Sequence, residues 1–207
     1  MAWDIPGTIP TSRTETRTID GPFQIDRAFD ATLSKRMSNR WSMTTNVVYN
    51  WDHDRGFPQN PNQDRFNERT ITAWAWKTFG TWQGPYGLVI SPVLRHQSGD
   101  ARDRIVQVTL STGTLDYQAE PEGAYREDNI WIFDTRLEKR VRFGARTLSL
   151  FLDAFNIANS NAAETQDTIT GRRTAMVGGQ SINYQRFLRP TVILAPRVFK
   201  VGFRFLF

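Results

Sequence analysis

Apolar and polar positions alternate along the last eleven residues, Arg197–Phe207. Phe199, Val201, Phe203, Phe205 and Phe207 share one parity. Lys200, Gly202 and Arg204 share the other, joined by Val198 and Leu206. A period of two predicts a β-strand, because successive side chains point to opposite faces. An apolar face on the terminal strand of a soluble sheet invites edge-to-edge aggregation. A strand between lipid and a polar lumen needs such a face, since Lys or Arg facing lipid at the bilayer midplane costs roughly 2–4 kcal/mol.

The same alternation predicts further strands upstream. In Phe23–Lys35, Phe23, Ile25, Phe29, Ala31 and Leu33 oppose Gln24, Asp26, Asp30, Thr32 and Ser34. Arg27 is the misfit on the apolar parity, suited to a headgroup rim. In Arg40–Asp52, Trp41, Met43, Val47, Tyr49 and Trp51 oppose Ser42, Thr44, Asn46, Asn50 and Asp52, with an aromatic at each end. The span from Trp41 to Trp51 suits the roughly 9–11 residues with which a tilted strand crosses a bilayer. Arg69–Phe79 carries Trp74 and Trp76 opposite Lys77. Gly87–Gln97 sets Leu88, Ile90, Pro92 and Leu94 against Ser91, Arg95 and Gln97, with a bulge or irregularity expected at Pro92. In Asn129–Arg140, Trp131, Phe133 and Leu137 oppose Asp134, Arg136, Glu138 and Arg140. In Arg146–Ile157, Leu148, Leu150, Leu152 and Ala154 oppose Ser149 and Asp153, although Phe151 and Phe155 join the second face.

The connections alternate in length. Arg36–Asn39, Thr81–Tyr86 and Arg142–Ala145 are short; Asp52–Glu68, Ser98–Asp128 and Ala158–Pro196 are long and polar. Short periplasmic turns and long extracellular loops are the pattern of outer-membrane barrels. The reading is therefore all-β: about seven antiparallel transmembrane strands, part of a barrel. Arg104–Leu110 is then a β-arm inside an external loop. With Phe207 at the periplasmic rim, residues 1–22 are the remnant of an extracellular loop, and 23–207 are the carboxy-terminal part of the barrel. Trp41, Val47, Trp51, Trp131 and Leu150 are expected to face lipid or form girdles. Asn46, Asp134, Arg136, Glu138, Asp153, Lys200 and Arg204 are expected to face the lumen.

Composition changes this picture little. Mean hydropathy is −0.49, and no run approaches the ~20 apolar residues of a membrane helix. The chain has 7 Trp, 14 Phe and no Cys, so disulfides and thiol chemistry are excluded. A charge of +5 with dispersed arginines gives no basic stripe, and no nucleic-acid partner is expected. Met1–Pro6 lacks a basic, apolar signal segment, which for an exported protein implies a mature fragment or a truncated gene.

Several segments resemble the carboxy-terminal end of TonB-dependent outer-membrane receptors, in particular the Oar-like branch. They are Ala154-Phe155-Asn156-Ile157-Ala158-Asn159, Arg189-Pro190-Thr191-Val192-Ile193-Leu194-Ala195-Pro196-Arg197 and the Phe-terminated strand. Thr81–Gly87, Gln97-Ser98-Gly99 and Asp134–Lys139 are similar to that group as well, and the resemblance covers most of residues 40–207. It implies a receptor built on a twenty-two-stranded barrel with a plug and a box gripped by the energy-transducing TonB protein. Such receptors take up large nutrients by active transport. Residues 1–207 contain no counterpart of plug or box, so TonB is a partner only through an amino-terminal region outside them. The other implied partners are outer-membrane lipid and the barrel assembly machinery, which reads Phe199, Val201, Phe203, Phe205 and Phe207. The implied location is the cell outer membrane.

No catalytic, metal or cofactor site is expected. His53 and His96 are placed on different connections, and Asp52-His53-Asp54 reads as a solvated external loop rather than a ligand cluster. Glu120, Glu122, Glu127 and Asp128 read as loop acids without a base or nucleophile. Gly178-Gly179 lacks the helix of a phosphate cradle. The Asp134, Arg136, Glu138, Arg140 row is read as a ladder satisfying charges across strands; contact with plug or substrate is the alternative. Two other functions stay open. A passive or structural barrel needs an even, closed strand set. A soluble, Trp-rich carbohydrate-binding sandwich needs apolar faces packed on one another. The substrate is not legible.

Overall fold

The computed structural model describes residues 21–56, 66–111 and 113–207. The expected loop remnant at residues 1–22 lies almost wholly outside the described residues, as does the middle of the first long connection. The fold is all-β and antiparallel in its main sheet, which has seven strands in sequence order. They are β1 (Phe23–Ser38), β2 (Trp41–Arg55), β3 (Glu68–Gln83), β4 (Leu88–Gln97), β5 (Ile130–Phe143), β6 (Arg146–Phe155) and β7 (Val198–Leu206). All seven predicted strands are present as consecutive neighbours. The sheet is open, with β1 and β7 each paired on one side only among the described residues.

Several strands outrun their predicted limits, because main-chain pairing continues past the point where side-chain alternation fades. Thus β2 reaches Arg55 and β3 runs from Glu68 to Gln83, with Arg55 opposite Glu68. Pro92 brings no bulge. Pairing stops after Phe79↔Val93 and resumes at Trp82↔Ile90 in the same register. The missing proline N–H interrupts the ladder without shifting it.

The turns follow local chemistry. Asn39 and Arg40 both have positive φ, 52° and 68°, the geometry of a tight hairpin turn. At the next turn Gly87 has φ +76°, and an added Cβ would lie 2.3 Å from the Arg140 carbonyl oxygen, so no side chain fits.

The two long connections after β4 and β6 are not open polar loops. They hold short paired strands, including Ile105–Leu110 with Gly113–Gln118, Arg172–Val177 with Gln180–Gln185, and Ala163–Gln166 with Pro190–Ile193. The predicted arm is the first of these. The second hairpin turns on Gly178 and Gly179, both at positive φ, and the Gly-Gly pair between two short runs was its signal.

The described residues have almost no core. Among the described residues the buried apolar side chains are Val89, Ala154, Ala163 and Leu194. Among the described residues no second sheet covers the apolar face of β1–β7, and Phe199, Val201 and Phe203 are 61%, 80% and 73% exposed.

Candidate functional site

Strand register sorts the predicted residues onto two faces. One face carries Trp41, Val47, Trp51, Trp131, Leu150, Phe199, Val201, Phe203 and Phe205, linked by pairs such as Leu150↔Phe203 and Leu152↔Val201. Phe207 follows the end of β7 and its ring lies 6.4 Å from that of Phe205. The other face carries Asn46, Asp134, Arg136, Glu138, Asp153, Lys200 and Arg204, with Asp153 between Arg136 and Lys200.

Aromatics on the first face gather at both ends. At the short-turn end Trp41 lies opposite Trp82, with the Lys35 ammonium 3.8 Å from the Trp41 ring centre. At the long-connection end, His96 stacks on Trp131 at 3.3 Å and meets Trp74 edge-on at 4.4 Å. Trp76 donates its indole N–H to Thr45 Oγ1 at 2.9 Å, so its polar tip is satisfied within an apolar surface. His96 is therefore on a strand, as is His53. Asp52 and Asp54 point to the opposite face from His53, because β2 continues through them; the three cannot ligate one ion. Among the described residues no group of metal-ligating side chains is assembled.

The second face is wired by ion pairs. Arg136 grips Asp153 through two bonds, Nε at 2.5 Å and Nη2 at 2.8 Å, and its guanidinium lies 4.5 Å from the Phe151 ring centre. Arg95 meets Asp134 at 3.2 Å across β4 and β5. Arg140 instead pairs with Glu138 on its own strand at 2.8 Å, so the charge row is satisfied partly across strands and partly along one. Phe151 lies over Gly202, where an added Cβ would sit 2.5 Å from its ring.

Above the sheet the long connections form a cap fastened to the strand ends. Arg69 on β3 holds Asp54 at 2.6 Å and also pairs with Glu122. Arg126 donates to the carbonyls of Thr72 at 2.8 Å and Gly99 at 2.9 Å. Glu127, its side chain 2% exposed, accepts from Arg102 Nε at 2.9 Å and the Gln166 amide at 3.0 Å. Asp128 accepts from the Ala163 amide at 3.0 Å. Ile169–Thr170 adds to Ile105–Val106 as a parallel strand. Of the residues read as loop acids, Glu127 and Asp128 join the two connections, Glu122 ties the cap to β3, and Glu120 pairs with Arg104 inside its own connection. Only the positions of their partners reveal these roles, and for Glu127 and Gln166 the two lie 39 residues apart.

Asn156 is a second junction, 5% exposed. Its amide donates to the carbonyls of Ser160 and Ala195 at 2.9 and 2.8 Å, and its Oδ1 accepts from the Ser160 amide at 2.9 Å. Its own backbone N–H reaches Asp134 at 2.8 Å. Asn159 accepts from the Arg197 amide at 3.1 Å. Both asparagines have positive φ, 47° and 52°, a region that Asn enters more readily than most side chains. The Phe-Asn-x-x-Asn motif thus ties the end of β6 to the start of β7.

Two cap carboxyls are shifted in opposite senses. Burial pushes Asp103 upward, helped by the nearby Glu122 charge, against the pull of its own backbone hydrogen bond and Arg102. Burial would also raise Asp167, but the Arg186 bond, the Ile169 amide and the charges of Arg186 and Arg173 together hold it below the usual range. No protein-family model, curated protein or solved structure matches the chain.

Proposed function

We propose that β1–β7 are part of the wall of a transmembrane barrel in the outer membrane, belonging to an active-transport receptor of the TonB-dependent kind. In this reading the cap is its extracellular, substrate-facing surface, and the cargo is a large nutrient. The observation that carries the reading is the continuous apolar face left uncovered across seven paired strands, opposite a face wired by ion pairs. Water disfavours that face, and lipid does not. From Trp41 to Trp51 the strand rises about 33 Å, or about 25 Å along the normal at a 40–45° tilt, the height of a barrel's apolar band. Among the described residues both sheet edges are unpaired, which calls for further strands rather than a small closed porin, and no second sheet covers the apolar face as a soluble sandwich requires. TonB would act through a plug and box outside residues 1–207.

The chain has no cysteine, so single-cysteine spin labels at Val201 and Lys200 test the proposal in the intact protein in outer membranes. Val201→Cys should be relaxed preferentially by oxygen dissolved in lipid, and Lys200→Cys by a water-soluble nickel chelate. Equal accessibility of the two positions would reject it.

A further inference from the structure

On the apolar face, at the long-connection end, a groove of about 500 Å³ is lined by Ile25, Arg27, Trp51, His53 and Thr70. Arg27 lies directly opposite Trp51, and Ile25 opposite His53. The other charges there are balanced: Glu68 pairs with Arg55 and lies 3.3 Å from His53 Nε2, whose Nδ1 bonds Thr70 Oγ1 at 2.7 Å. Arg27 makes no hydrogen bond or ion pair among the described residues. Toward the short-turn end the same face continues through Phe29, Ala31 and Leu33, roughly 20 Å of apolar strand from Arg27 to Leu33 at about 3.3 Å per residue.

We propose that this groove holds a phosphorylated glycolipid of the outer leaflet, the phosphate on Arg27 and an acyl chain along Phe29–Leu33. The inference rests on the membrane reading above. Its warrant is complementarity at both ends of the ligand. A lone guanidinium beside an interfacial Trp matches a headgroup phosphate, to which Arg presents paired donors. The strand beyond it matches hydrocarbon. The groove also opens at the long-connection end, which in that reading is the external leaflet. A free phosphate would use Arg27 but leave the apolar run empty.

The intact protein is reconstituted into phosphatidylcholine vesicles containing a small fraction of diphosphorylated lipid A, then extracted in mild detergent, and the co-purifying lipid A is measured. Arg27→Gln should lower retention about fivefold to tenfold, the loss expected for one basic side chain at an anionic lipid surface. Arg27→Lys should keep part of it, and Lys200→Gln, on the opposite face, should retain it fully. Millimolar inorganic phosphate should not displace the lipid. Equal retention by Arg27→Gln and the parent overturns the proposal, as does displacement by phosphate, which would indicate a free-anion site. Protein that fails to enter the vesicles, judged by release at alkaline pH, refutes the membrane reading and the lipid site with it. Protein that inserts but shows no preference for lipid A refutes the lipid site alone.

Discussion

The sheet and the cap are held together by different means. In β1–β7 long ladders do the work, and one largely apolar face is left exposed. In the cap the strands are only two to six residues long, too short to persist unaided. Their order comes from carboxylates aimed at arginines and backbone amides. The sheet therefore depends on what covers its apolar face, whereas the cap is largely satisfied in water. A protein can delegate half of its solvation to its surroundings while keeping the other half internal.

The sharpest way to break this division is at the seam. An added Cβ at Gly99 would lie 2.0 Å from the Glu127 carbonyl oxygen, both atoms being fixed by backbone. Gly99→Val should cost more than about 3 kcal/mol, the scale of a forced core clash. It should free the cap to protease while the sheet persists. Loss of both together would show that they are one cooperative unit.

Next in size is the dependence on lipid that the proposed membrane setting implies. Val201→Lys should cost roughly 2–4 kcal/mol at the bilayer midplane, read as a lower urea midpoint in vesicles, while Lys200→Glu, on the charged face, stays within about 1 kcal/mol. Equal shifts would remove the distinction between faces.

Within the cap, Glu127→Ala leaves the Gln166 amide unpaired and leaves Arg102 only its 3.5 Å contact with Asp100 among the described residues. Arg102 is partly exposed, so a cost of roughly 1–3 kcal/mol is expected for the lost charge-assisted bonds, appearing as faster amide exchange across 98–128 and 158–196 and unchanged exchange in β1 and β2. Exchange that rises equally in β1 would contradict the separation.

The smallest effect is pH dependence. Asp103 is raised, so the native state binds its proton more readily, and acidification through its titration stabilises the cap slightly. Asp167 is lowered, so its contribution is complete above the usual aspartate value of 3.8 and fades as pH falls below it. Cap protection against protease should rise a little on mild acidification, then fall at lower pH. Asp167→Asn should abolish the second phase only.

The same contrast explains what could be read without coordinates. A period of two located every strand of the sheet and sorted its faces, since register follows from burial and turn length. It missed the extension of β2 through His53, where pairing outlasts the pattern. It was blind to Glu127, Asn156 and Gly99, whose roles depend on atoms brought close only by folding. The Phe-Asn-x-x-Asn and Gln-Ser-Gly segments were legible as motifs, but not as the joints they are.

Alternation also has a limit as an assembly code: a strand that slips by two residues keeps every side chain on its proper face. Hydrophobicity cannot detect that error between β6 and β7. The Phe151 ring can, because it needs a bare backbone beneath it, and Gly202 is the only glycine in β7. A two-residue slip would bring Lys200 or Arg204 under the ring, and the ring would have to move away from their Cβ atoms. One contact thus weighs against a slipped docking of the terminal strand, a check that alternation alone does not supply.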